Sequence, residues 1–135
     1  MVHALSEARR VLRPGGILVD LRPAAKHRRV GLGEGRRWRL VGVMRERFDE
    51  DHAADRAVAR AIREGWFRPE ARRGFLLERA MDTIADFRTW LGEFRLARTA
   101  ASHQWLVRRL ERAGAGESAR IVARGPMNLQ VLRAR

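Results

Sequence analysis

The stretch from Glu7 to Leu21, EARRVLRPGGILVDL, carries a helix into a strand within fifteen residues. Its upstream flank sets Val2, Leu5, Ala8 and Leu12 at helical spacing, with Arg9 and Arg10 on the opposite side. Pro14 has no amide to donate and its ring obstructs a continuing helix, while Gly15 and Gly16 enter left-handed conformations without a Cβ clash. The helix therefore stops over Pro14-Gly15-Gly16. Ile17-Leu18-Val19-Asp20-Leu21 follows, rich in β-formers and closed by Arg22-Pro23, and reads as a buried strand.

Outward from this reversal, residues 24–35 hold three glycines and the basic cluster Lys26-His27-Arg28-Arg29, the marks of a loop or hairpin arm. A second strand over Arg36 to Arg45 alternates, with Trp38, Leu40 and Met44 on one face and Arg37, Arg39, Val41, Val43 and Arg45 on the other. Asp49, Glu50 and Asp51 open a helix that Arg63 closes before Gly65, charges placed as the helix dipole favours; Ala54, Val58, Ala61 and Ile62 form its inward stripe. Arg73 to Ala80 alternates as a further strand. Ile84, Phe87, Leu91 and Phe94 recur at helical spacing, and a last helix covers Ala100 to Ala113 with Leu106 and Leu110 inward. Ala119 to Arg124 and Met127 to Arg133 read as two antiparallel strands joined by a tight turn at Gly125-Pro126.

The string quoted first resembles a segment of the class I S-adenosylmethionine-dependent methyltransferases, where a helix runs through a Pro-Gly-Gly turn into the fifth strand of the sheet. Arg10, Leu12, Pro14, Gly15 and Gly16 carry the resemblance. It implies a fifth strand covered on both faces, a variable substrate-side region, and sixth and seventh strands that form an antiparallel pair. On this basis the chain is similar to the C-terminal half of that domain. The expected fold is α+β: a partial methyltransferase-like (Rossmann-like) sheet with a C-terminal antiparallel strand pair and three or four helices, in one domain over residues 1–135.

The family holds its cofactor with a glycine-rich loop after the first strand, an acidic residue ending the second strand and an acidic or aromatic residue near the fourth. No position here matches them. Gly31-Leu32-Gly33-Glu34-Gly35 lacks the strand-then-helix context that a cofactor loop requires, and a hairpin turn accounts for it better. Methyl transfer depends on a positioned donor. The resemblance thus implies S-adenosylmethionine only if a partner completes the domain, and no cofactor-binding residue in this chain.

Composition closes other classes. With 135 residues and no cysteine there is no disulfide framework, thiolate zinc site or thiol nucleophile. The four histidines lack i, i+4 spacing, so no metal ligands are assigned. No serine stands in a Gly-x-Ser-x-Gly elbow, so no catalytic residue is assigned. No apolar run reaches the roughly 18 residues of a membrane span, and a soluble cytoplasmic protein without a membrane partner is expected. The net charge is +13, with basic ends and a balanced middle. Of 29 basic residues only Lys26 is lysine, a bias that fits both a phosphate-binding surface and genome-wide codon usage.

These readings lead to a methyltransferase-related binding or assembly module that is not catalytically competent alone. An exposed strand edge, at 17–21 or 36–45, makes a symmetric homodimer the expected partner arrangement. One alternative is a subunit of a split methyltransferase, joined to an N-terminal half, with Arg22, His27, Trp38, Trp66, Arg73 and Phe75 lining the acceptor side. Another is a basic nucleic-acid-binding protein using Arg36-Arg37-Trp38-Arg39. The four tryptophans otherwise read as core.

Overall fold

In the computed structural model residues 1–98 and 103–135 are described, the side chains of 94–98 aside. Helices α1 (Val2–Val11), α2 (Asp49–Arg63), α3 (Ile84–Arg98) and α4 (Gln104–Arg112) accompany strands β1 (Ile17–Pro23), β2 (Arg29–Glu34), β3 (Arg37–Val43), β4 (Phe67–Met81) and β5 (Arg120–Ala134). The chain is α+β, and its five strands join in antiparallel pairs, in the order β1-β5-β2-β3 with β4 also on β5. Ion pairs Glu70–Arg133 and Glu78–Arg124 run in opposite senses along β4 and β5, as antiparallel strands require. Two compact units divide the residues: Met1–Ala25, Phe48–Phe75 and Met127–Arg135 in one, Lys26–Arg47 and Leu76–Pro126 in the other.

In the first unit the helix-to-strand reversal forms where the sequence places it. α1 ends at Leu12, which is already extended, and Gly15 takes φ +80°. A Cβ on Gly16 would lie 2.9 Å from the Arg13 carbonyl oxygen, so the second glycine is also sterically required. β1 then pairs with the end of β5, Ile17 opposite Arg133 through Pro23 opposite Met127. Leu18 packs with Leu132 towards a core of Leu5, Ala57, Val58, Ala61, Phe67 and Ala134. Ala54, Val58 and Ala61 of α2 are buried as their spacing predicts. Burying a side chain such as Phe67 or Leu132 stabilises the unit by about 2 kcal/mol each.

The expectation that β1 is covered on both faces is corrected. Ile17, Val19 and Leu21 are 52%, 55% and 55% exposed. α2 shields the face of Leu18, and the alternation of the strand sends the odd residues the other way.

In the second unit β2 and β3 form a hairpin, with Gly35 at φ +58° in its turn. The segment 24–35 is thus strand as well as loop, the β-branched Val30 and apolar Leu32 being buried on either side of Gly31. β2 pairs on its other side with the first part of β5, Gly31 opposite Val122. The expected alternation of β3 fails at one point. A bulge shifts the register between Val30/Gly31, so Val41 turns to the core while Leu40 lies exposed. Core residues Val30, Leu32, Met44, Ile121 and Ala123 pack against Phe87, Trp90 and Leu91 of α3 and Leu106, Val107 and Leu110 of α4. At the start of α3 the Thr83 hydroxyl accepts from the Asp86 amide (3.0 Å) and the Asp86 carboxylate accepts from the Thr83 amide (3.1 Å), a capping box. Phe94 and the start of the helix expected at Ala100 lie outside the described side chains and residues.

The expected terminal hairpin is also corrected. Gly125-Pro126 makes no turn: β5 is one strand through both residues. Gly125 keeps φ outside the left-handed region and is buried where a Cβ would lie 2.9 Å from the Arg28 guanidinium. Close approach, rather than a turn, is what the glycine serves. The antiparallel partner of β5 is β4, which extends six residues upstream of the strand expected from Arg73. Of the tryptophans, Trp90 is core, Trp38 and Trp66 are half-buried, and Trp105 is exposed.

Candidate functional site

The paired strands of the first unit have two distinct faces. Register places Ile17 opposite Arg133, Val19 opposite Val131, Leu21 opposite Leu129 and Pro23 opposite Met127 on one face. On the other, Leu18 faces Leu132, Asp20 faces Gln130, and Arg22 faces Asn128. The first is an open apolar surface. Its one charge, Arg133, is engaged by both carboxylate oxygens of Glu70.

The second face turns from apolar to polar along the strand and ends in a cleft of about 360 Å³. It is lined by Asp20, Arg22, Asp55, Arg72, Asn128 and Gln130 over Val58, Ala59 and Ile62. Arg22 stands at its centre with a largely buried side chain. Its Nε donates to Asp20 (2.9 Å), its Nη1 lies 2.7 Å from Asp55 and donates to the Asp51 carbonyl (3.5 Å). Burial opposes the charge of Arg22, yet the hydrogen bonds and attraction of Asp20 and Asp55 outweigh it and raise its pKa above the ordinary arginine value. A guanidinium so held is a fixed donor, neither base nor nucleophile. The cleft offers hydrogen-bonding groups of both kinds, its Asp20 and Asp55 carboxylates being paired with Arg22.

Of the residues expected on an acceptor side, Arg22 alone lines this cleft. Trp66 packs on the core of the first unit with the Arg9 guanidinium 5.7 Å from its ring. Arg73 and Phe75 are exposed on β4, and Arg72 rather than Arg73 reaches the cleft. His27 and Trp38 belong to the second unit, where each has a structural role. The His27 Nδ1 accepts from the Glu46 amide (3.1 Å), beside the short Arg28–Glu46 pair (2.6 Å) whose carboxylate is buried. Trp38 donates to the Val122 carbonyl and lies under Arg124, 4.2 Å from ring centroid to guanidinium. Asp20, Asp55, Asn128 and Gln130 were not anticipated. The signal for them is the parity of Asp20 with Arg22 and of Asn128 with Gln130, polar pairs at period two inside apolar strands.

The glycine stretch fits no cofactor loop. Gly31 and Gly33 lie within β2, the place of a Gly31 side chain is filled by Trp38, that of Gly33 by Val122, and a strand rather than a helix follows Gly35. Among the described residues no three His, Asp or Glu side chains gather as metal ligands, and no helix is long and apolar enough to cross a membrane. Compared with protein-family models, curated proteins and solved structures, the chain matches none.

Proposed function

We propose that this chain is a methyltransferase-related binding or assembly module that does not transfer methyl groups alone and acts in the cytoplasm. The open apolar face of β1 carries the reading: Ile17, Val19 and Leu21 stay in water, beside the half-buried Leu129 and Val131 opposite them, while the reverse face is packed. Surfaces of this kind mark interaction sites. The edge of the same strand is a weaker attractant. Ala134 donates to the Gly16 carbonyl (2.8 Å), so in this register the odd residues of β1 direct their backbone groups outward. Pro23 stands among them without an amide, and Asp20 and Arg22 point inward, devices that discourage strand addition. The homodimer is therefore formed by packing two such faces together, with the edges at its rim.

The test is retention of untagged chain by tagged chain on a matrix, with Val19→Lys as the variant. Retention of the wild type and its loss in the variant support the reading, and equal retention of both overturns it. Calorimetric titration with S-adenosylmethionine gives no heat on this account; one-to-one binding by the isolated chain would overturn the claim that it is incomplete.

A second reading, a subunit of a split methyltransferase, is favoured by the preserved Pro-Gly-Gly reversal into β1 and by the antiparallel β4–β5 pair. There the N-terminal half covers the face of β1, and co-purification of a second polypeptide from the native source replaces self-association.

A further inference from the structure

Helix α4 divides its residues sharply. Leu106, Val107 and Leu110 are buried in the core of the second unit. Trp105, Arg108, Arg109 and Arg112 recur at i, i+3, i+4 and i+7 on the outer side, all exposed, with Trp105 at 38%. A solvated helix face seldom carries an exposed indole among three arginines, because the ring gains by burial. Here the Arg109 guanidinium lies 5.6 Å from the Trp105 ring centroid, and its Nη1 donates to the Val41 carbonyl (3.4 Å).

The same contacts align α4 with β3. A Cβ on Gly42 would touch Leu106 and Trp105 at 2.7 and 2.9 Å, whereas one turn later Arg109 reaches Val41. The helix thus advances along β3 towards Arg39 and Arg37. Arg39 is opposite the buried Leu32, so it stands on the side of the sheet that carries α4, beyond the cover of the helix. Among the described residues no acidic side chain pairs with Arg39, Arg108, Arg109 or Arg112. The one carboxylate of α4, Glu111, is held by Arg88 (2.9 Å), while Glu34 is the register partner of Arg37. The second unit carries 17 basic against 8 acidic residues, the first 12 against 8.

We propose that this surface, Trp105 with Arg108, Arg109 and Arg112 of α4 and Arg39 of β3, binds a single-stranded nucleic acid. The arginines meet successive phosphates and Trp105 stacks a base. Guanidinium groups along a track and an aromatic platform are the two elements of sequence-tolerant single-strand binding. Duplex is disfavoured because its bases are stacked within and give the indole nothing to meet. An anionic lipid surface shares the charge but not the stacking.

The experiment is fluorescence anisotropy of the full chain with a labelled oligouridine of about twenty nucleotides. Four phosphate contacts give a slope of about −2.8 in log affinity against log salt, so binding weakens about 50-fold between about 50 and 200 mM salt. The variant Arg108→Gln/Arg109→Gln/Arg112→Gln lowers affinity more than tenfold and the slope by about 2. The control Arg13→Gln/Arg56→Gln/Arg63→Gln removes the same charge from the first unit and leaves affinity within about threefold. Trp105→Ala weakens binding about tenfold without changing the slope, since stacking releases no counterions. Equal losses in the two triple variants, tighter binding to duplex, or vesicles of anionic lipid displacing the oligonucleotide would overturn the proposal. Circular dichroism confirms that each variant is folded.

Discussion

The indole of Trp38, on β3, passes over Gly31 in β2 and donates to the carbonyl of Val122 in β5, 3.3 Å away. Three strands are tied by one side chain, and the glycine between them leaves the passage clear. A Cβ on Gly31 would lie 2.3 Å from the Arg39 carbonyl oxygen and 2.7 Å from the indole. Gly31→Ala is therefore expected to destabilise the chain by about 2–3 kcal/mol. Trp38→Ala in the same background does not restore stability, because the carbonyl clash persists. Chemical denaturation of the single and double variants checks both statements.

Arg22 and its two carboxylates form a coupled unit in the cleft. Asp20→Leu leaves the guanidinium short of one acceptor and costs about 1–3 kcal/mol. Replacing both partners, Asp20→Leu with Arg22→Met, costs less than the two single changes together, since the buried Asp20 carboxylate goes with its cation and the remaining Asp55 is 43% exposed to water. A double-mutant cycle on unfolding free energies reads the coupling directly.

The Arg133 hydrogen bond to Glu70, ahead of its charge, holds that carboxyl below the ordinary glutamate value of 4.5. A carboxyl depressed in the folded state stabilises above its unfolded pKa and loses that contribution as pH falls through the folded value. Stability should accordingly decline below about pH 4.5, and Glu70→Gln should flatten that decline while leaving the neutral-to-basic range nearly parallel. Thermal unfolding followed from about pH 7 to pH 3 measures it.

Gly15→Ala places a Cβ at φ +80° in open space, so the cost is backbone strain alone, about 1 kcal/mol. Gly16→Ala adds a contact at 2.9 Å with the Arg13 carbonyl oxygen and should cost more. In urea both lower the midpoint without altering the slope.

Much of the fold is local in origin, and those parts are readable in the sequence. Pro14, Gly15 and Gly16 end a helix whatever surrounds them, and the stripe Ala54, Val58, Ala61 points inward because helical periodicity leaves no choice. The misread parts depend on distant neighbours. Gly125-Pro126 has the composition of a turn, but Arg28 packs against Gly125 and pairing with β4 keeps the strand extended. Leu40 departs from the expected face because a bulge at Val41 reverses the alternation, and no residue type announces it. Of the cleft only Arg22 was expected at a site, on the acceptor side of a split methyltransferase, while Asp55, Asn128 and Gln130 converge on it only through α2 packing and β1–β5 register.

Sedimentation equilibrium tests most directly whether the face of Ile17, Val19 and Leu21 joins two copies. The account predicts a species of twice the 15.5 kDa chain mass. Its association should strengthen as salt rises, because apolar burial drives it while two chains of +13 repel. Val19→Lys should sediment as a folded monomer. A wild-type chain that remains monomeric across the salt range at about 100 μM, a concentration at which even an interface of about −6 kcal/mol would be substantially filled, contradicts it.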